Sequence, residues 1–341
     1  LAFGFGSLPS GLLADRLGPR LLLVVCLTGT TAASVLAFAL GSMAGVVVAL
    51  ILLGLFASMY HPAGLSIIST SIKETGHAMG IHGMAGTMGV AVAPLVAGWI
   101  TQRYSWQYSY LVLAAAGALL LIMLFTILRF HEASPARARM EIGHVGLRES
   151  LNRDLVFIYA IGALYGLIYR GIMTFFPTFL SREVPFIGND VARLGYVSSA
   201  ILGVSIIGPL VGGRLASNTK QTARNLFLVF LALAVLSVGF YFGRGLMLIF
   251  VAAPAVLLIF GFQPLQNTMI AKSSPALRRG AVYGINYTVG FGIGAFASGI
   301  GGVFGERFGM RSIFLLMLGL CLAVVTLLAV HMALRRRHGV S

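Results

Sequence analysis

The chain has 341 residues, of which 58% are hydrophobic and only 10% charged. Soluble domains carry about a quarter charged residues, so a water-covered globule is excluded and lipid is the expected solvent for most of the surface. The net charge of +15 raises nucleic acid as a partner, but the distribution of the cations along the chain points elsewhere, as shown below.

An apolar run over 1–13 opens the chain. Ten further runs long enough to cross a bilayer as helices follow at 21–40, 44–70, 78–100, 107–128, 155–180, 194–213, 225–242, 246–271, 281–304 and 312–334. Their continuous hydrophobicity, without alternation, argues against a barrel, and 43 glycines suit close helix approach. Cys26 and Cys321 both fall inside runs, where packing rather than disulfide formation is expected.

If successive loops alternate sides, seventeen of the 24 lysines and arginines lie on the side of Arg16 and Arg20, six lie opposite, and Arg170 remains within a span. That asymmetry places the Arg16 side and the C-terminus in the cytoplasm. The basicity reports topology, and no nucleic-acid partner is expected.

The longest polar stretch, 129–154, divides the runs into two groups, 1–128 and 155–341, which repeat each other in parallel. At an offset of 204, Gly76–Gly86 aligns with Gly280–Gly290, placing His82 on Asn286, and Arg103 falls on Arg307. At 202, His61–Pro62 falls on Gln263–Pro264 and Gly11–Ala14 on Gly213–Ala216. The run at 155–180 has no partner in the first group, and Leu1 is not an initiator methionine. The expectation is an all-α membrane protein of two six-helix halves whose first helix, and part of whose second, precede Leu1.

Between the first two runs stands Gly11-Leu-Leu-Ala-Asp15-Arg16-Leu-Gly18-Pro-Arg20. Asp15 is suited to a helix N-terminus, and Arg16 and Arg20 to the headgroup layer. The stretch resembles the signature loop of the major facilitator superfamily (MFS), with Pro19 as a departure. In the second half Ser217 stands at the Asp15 position. Gly80, Gly89, Pro94 and Gly98, with Ala93 and Ala97 as departures, resemble the fifth-helix motif of the superfamily's drug antiporters, and a generic glycine-rich packing face explains them as well. Ser58–Gly64 and Ile81–Gly83 are similar to the fosmidomycin-resistance-like branch. The resemblance implies a secondary transporter working by alternating access, with the Asp15 loop latching the halves. Proton-driven efflux of a drug-like or anionic compound is the leading expectation. Uptake of a small organic anion by symport and a non-transporting sensor on a carrier fold are the alternatives.

Polar residues inside spans are costly and are therefore candidates for function. Arg170 shares a helical stripe with Ala163, Gly166, Thr174 and Pro177. It reads as an anion or substrate anchor, or as a structural arginine that snorkels or bonds to a neighbouring carbonyl. His61, on a stripe with Gly54 and Ser58, and His82, placed at the opening of the fifth helix, are candidates for proton coupling or hydrogen-bonded packing residues. Gln263, Gln266 and Asn267 share one helix face and, like Asn286, suit either a substrate cavity or interhelical bonding. All nine carboxylates lie in loops or at span ends. No convergent nucleophile, base or metal-ligand set is present, so enzymatic catalysis, a bound metal and a cofactor are not expected. A monomer in the cytoplasmic (inner) membrane, with the bilayer and one small-molecule substrate as partners, completes the expectation.

Overall fold

The computed structural model describes residues 1–126, 151–217 and 221–337. Most of the predicted central loop, and Lys220, fall outside these residues. Among the described residues the secondary structure is helical throughout: α1 Ala2–Leu17, α2 Pro19–Ala39, α3 Met43–Ala57, α4 Tyr60–Ser71, α5 Thr75–Arg103, α6 Tyr108–Thr126 and α7 Arg153–Glu183. Next come α8 Val191–Val204, α9 Ile207–Ser217, α10 Thr222–Phe242, α11 Met247–Ser273, α12 Arg279–Tyr287, α13 Phe296–Phe308 and α14 Ser312–Arg337. A π-helical stretch, Thr288–Ile293, joins α12 to α13. Among the described residues, ten segments are long and apolar enough to cross a membrane, from Pro19–Ala39 to Ser312–Leu334, and each contains or overlaps one of the ten predicted runs.

Local chemistry sets the boundaries. Gly18 adopts φ 91°, a conformation costly for any residue with a Cβ, and Pro19 then starts α2 at a position where its missing N–H is harmless. Ser42 caps α3 by accepting the Gly45 amide at 3.1 Å. Asp190 caps α8 in the same way, accepting the Arg193 amide at 3.0 Å.

Two predicted spans are each two helices. The run 44–70 breaks at Ser58–Met59 and the run 194–213 at Ser205–Ile206. In both, a proline stands four residues after the serine, Pro62 and Pro209. A proline ring removes an N–H and crowds the carbonyl four residues back. Each serine hydroxyl instead donates to the carbonyl three residues before it, Ser58 to Leu55 at 2.6 Å and Ser205 to Leu202 at 2.5 Å. His61 is therefore not on one continuous helix with Gly54 and Ser58, which corrects the expected stripe.

Large apolar side chains such as Ile122, Phe125, Val235 and Phe250 are exposed, as a lipid-facing surface requires. Cys26 and Cys321 are buried and free. The chain packs as two units. Unit 1 comprises Leu1–Lys73, Trp99–Tyr159 and Ile270–Gly292; unit 2 comprises Glu74–Gly98, Ala160–Met269 and Ile293–Ser341. Packing thus groups most of α5 with elements of the second sequence repeat, and α12 with elements of the first.

Candidate functional site

In unit 1, α1 and α12 meet so closely that glycine is required at the crossing. A Cβ on Gly280 would lie 2.7 Å from the Gly11 carbonyl oxygen, and one on Gly284 would lie 2.6 Å from the Ser7 carbonyl oxygen. This contact carries α1 to the first turn of α12, whose amides have no helical acceptor. Asp15 fills that role: Oδ1 accepts the Gly280 N–H at 2.8 Å and Oδ2 the Ala281 N–H at 3.0 Å.

The same turn is tied from other sides. Arg279 donates to the carbonyls of Ser69 on α4 and Ala271 on α11. The Tyr159 hydroxyl donates to the Val282 carbonyl at 3.0 Å. Arg16 projects outward and is exposed, whereas Arg20 is half-buried.

Unit 2 repeats this contact between α9 and α5. A Cβ on Gly76 would lie 2.9 Å from the Gly213 carbonyl oxygen, and one on Gly80 would lie 3.0 Å from the Pro209 carbonyl oxygen. Each partner matches its unit 1 counterpart at the offsets of 204 and 202 found in the sequence. The acid does not repeat. Ser217 stands where Asp15 stands, and its hydroxyl turns back to its own Gly213 carbonyl at 3.3 Å.

Of the fifth-helix motif, Gly80 packs on α9, while Pro94 and Gly98 face α8. A Cβ on Gly195 would lie 2.8 Å from the Pro94 carbonyl oxygen. Gly89 has open space around it. The helix begins at Thr75, so His82 sits two turns inside α5 rather than at its opening.

His61 is half-buried in an aromatic cluster of unit 1. Its ring stacks on Tyr287 at 4.2 Å, with Phe3 and Tyr60 edge-on at 6.0 and 5.1 Å. Tyr287 in turn stacks on Phe291. Asn286 is buried beside it on α12.

The remaining candidates lie in unit 2. Gln266 and Asn267 are buried on α11, with Gln263 and His82 half-buried. Arg170 lies near the middle of the 31-residue helix α7 and is exposed, without a hydrogen bond or ion pair to the described residues. One turn on, the Thr174 hydroxyl meets that of Ser298 on α13 at 3.1 Å. The stripe expected to run through Gly166 is interrupted, because Gly166 packs against Gly294: a Cβ on Gly294 would lie 2.7 Å from the Gly166 carbonyl oxygen. His61 and Asn286 thus belong to one unit, and Arg170, Thr174, His82, Gln263, Gln266 and Asn267 to the other. Sequence reasoning missed Ser298, Tyr287 and Arg279. Only Arg279 carried a signal, its place beside the repeat-matched Gly280.

Residues 1–299 match the sequence profile of the Major Facilitator Superfamily. The chain belongs to this superfamily. Its members are transporters, and this MFS chain is a multi-pass membrane protein. It is 29% identical over 134 residues to the probable L-galactonate transporter of Escherichia coli K12, a match covering 39% of this chain and 30% of that protein. It is 34% identical over 125 residues to the puromycin resistance protein of Streptomyces alboniger, covering 36% of this chain and 25% of that one. A tetracenomycin C resistance and export protein of Streptomyces glaucescens shares 24% identity over 205 residues, 59% of this chain and 34% of that one. The matches thus span about a third or less of each relative's length. Among solved structures, the human organic anion transporter MFSD10 (TETRAN) superposes with a TM-score of 0.78 at 16% identity, covering 96% of this chain and 81% of that one. The Escherichia coli fucose:proton symporter does so with 0.72 at 15% identity, covering 96% and 88%. At these identities the likeness is one of fold.

Proposed function

We propose that this MFS chain is a secondary transporter working by alternating access, that its substrate carries an anionic group, and that a proton gradient drives it. The observation that carries the reading is Arg170. A guanidinium at the centre of a spanning helix costs about 2.5–3.5 kcal/mol on insertion scales, so an exposed one belongs in a water-filled path. Its planar fork matches a carboxylate or phosphate-like group in two-point contact. The Thr174–Ser298 hydroxyl pair, one turn away, adds donors for further oxygens. The similarity to a probable L-galactonate transporter supports an acidic substrate. The similarity to two antibiotic-resistance proteins supports export. His61 and His82 are the candidate proton carriers, since among the described residues no carboxylate lies in the interior of a span. The Asp15 side is assigned to the cytoplasm, with the protein in the inner membrane.

The test is binding and flux with purified protein in proteoliposomes, using a panel of sugar acids and anionic antibiotics. Arg170→Lys is expected to weaken binding by about 1.5–3 kcal/mol, the scale of a charged hydrogen bond. Arg170→Ala should abolish anion recognition while elution on size exclusion is unchanged. Undiminished affinity in the alanine variant would return Arg170 to a structural role.

A further inference from the structure

At the far end of the α1–α12 crossing from Asp15, the Thr288 hydroxyl enters the hydrogen-bond ladder of α1. It accepts the Leu8 N–H at 3.0 Å and donates to the Gly4 carbonyl at 2.9 Å. Gly4 and Leu8 are the acceptor and donor of a single helical rung, so the hydroxyl bridges the rung from outside. The next rung of α1 is missing altogether, because Pro9 has no N–H to offer the Phe5 carbonyl. The two backbones touch here: a Cβ on Gly4 would lie 2.4 Å from the Gly292 nitrogen.

Thr288 is also where its own helix changes form. The wide π turn occupies Thr288–Ile293, an uncommon geometry that recurs at functional positions. The second copy of this crossing is an internal control. At the offset of 204, Met84 stands in place of Thr288, and α5 runs as an α-helix from Thr75 to Arg103. The π turn accompanies the hydroxyl and is absent where a thioether replaces it.

A threonine inside a helix ordinarily turns its hydroxyl back to the carbonyl four residues earlier, here Gly284. We infer that Thr288 is a positioning residue whose hydroxyl has two seats. With α1 docked it bridges Gly4 and Leu8 and holds its own helix in the π turn. With α1 withdrawn it bonds to the Gly284 carbonyl, and residues 288–293 tighten to an α-helix. The geometry stands on its own; its place in a transport cycle rests on the reading proposed above.

The experiment is amide hydrogen exchange, by mass spectrometry, on the full chain in lipid nanodiscs. Thr288→Val removes the hydroxyl at nearly constant volume, and Thr288→Ser keeps it. Thr288→Val is expected to slow exchange across 288–293 by about fivefold, the scale of one backbone hydrogen bond gained, with Thr288→Ser matching wild type. Unchanged or faster exchange in Thr288→Val, or a serine variant that behaves like the valine one, overturns the inference. If the valine variant is not recovered folded, Thr288→Ala carries the same comparison. Flux is read separately: Thr288→Val should lower maximal flux at unchanged half-saturation. A protein that shows the exchange result but moves no substrate would fault the transport reading and leave the two seats intact.

Discussion

Asp15 holds the Gly280 amide at 2.8 Å, whereas its repeat counterpart Ser217 bonds to its own helix. The two copies of one glycine crossing therefore differ: one carries a carboxylate on a helix N-terminus, and in the other the equivalent side chain bonds to its own helix. Asp15→Asn retains only one acceptor oxygen for the two amides, so flux in proteoliposomes should fall several-fold with the protein still expressed and inserted. Ser217→Ala loses only a bond within α9 and should transport normally. Equal losses in the two variants would refute the asymmetry.

The Asp15 contact also titrates. Asp15 lies beyond the apolar run 1–13, and burial pushes its carboxyl from 3.8 to about 6, against the opposing pull of the Ala281 and Gly280 amides and the Arg278 charge. An undocked Asp15 in water regains the ordinary value. The docked state therefore binds the proton more tightly. Docking is favoured in full below pH 3.8, weakens as the pH rises from 3.8 to about 6, and is level above that. Protection of the first turn of α12 against exchange, taken relative to Asp15→Asn at each pH, should fall across that window and be flat from pH 7 to 8.

Glycine matters at the crossing and not everywhere in the motifs. A Cβ on Gly11 would lie 2.2 Å from the Gly280 carbonyl oxygen, with rigid backbone on both sides, while Gly89 has nothing within 4 Å. Gly11→Ala should destabilise by about 1–3 kcal/mol, the usual range for overpacking. Gly89→Ala should be neutral or stabilise by up to about 1 kcal/mol through helix propensity. Thermal unfolding in detergent separates the two, and a Gly11→Ala protein as stable as wild type would argue that α1 and α12 are not in contact.

Arg311 offers a stability test in unit 2. Its guanidinium pairs with Glu183 at the end of α7 and donates to the Tyr241 and Gly243 carbonyls at the C-terminal end of α10, at 2.8 and 2.7 Å. Lysine cannot reach three directions at once, so Arg311→Lys should cost about 1–3 kcal/mol. The exposed Arg307, only four residues earlier, should tolerate lysine without loss. A matching loss at Arg307 would show that the effect does not depend on these three contacts.

Much of this was legible because lipid leaves few options. Continuous apolarity marked each of the ten spans, and the repeat offsets named the residue pairs that later proved to occupy equivalent places, Gly11 with Gly213 and Gly76 with Gly280. That Asp15 suits a helix N-terminus was also readable; which helix was not, since no local pattern links residue 15 to residue 280. The breaks at Ser58 and Ser205 were signalled by Pro62 and Pro209 but hidden by hydropathy, which averages over them. The π turn had no signal, because it depends on the neighbour that Thr288 meets. Periodicity put Arg170 and Gly166 on one face, yet it cannot separate a stretch packed on Gly294 from one left exposed.

The order in which the units close has a consequence for biogenesis. The Asp15 partner lies 265 residues further along the chain, so α1 leaves the ribosome long before α12 exists. Each helix enters the bilayer on its own hydrophobicity, but unit 1 stays unfinished until its last segment, Ile270–Gly292, has been synthesised. Two polypeptides cut in the central loop and made separately would each hold parts of both units. Neither could mature alone, and activity would return only through co-expression.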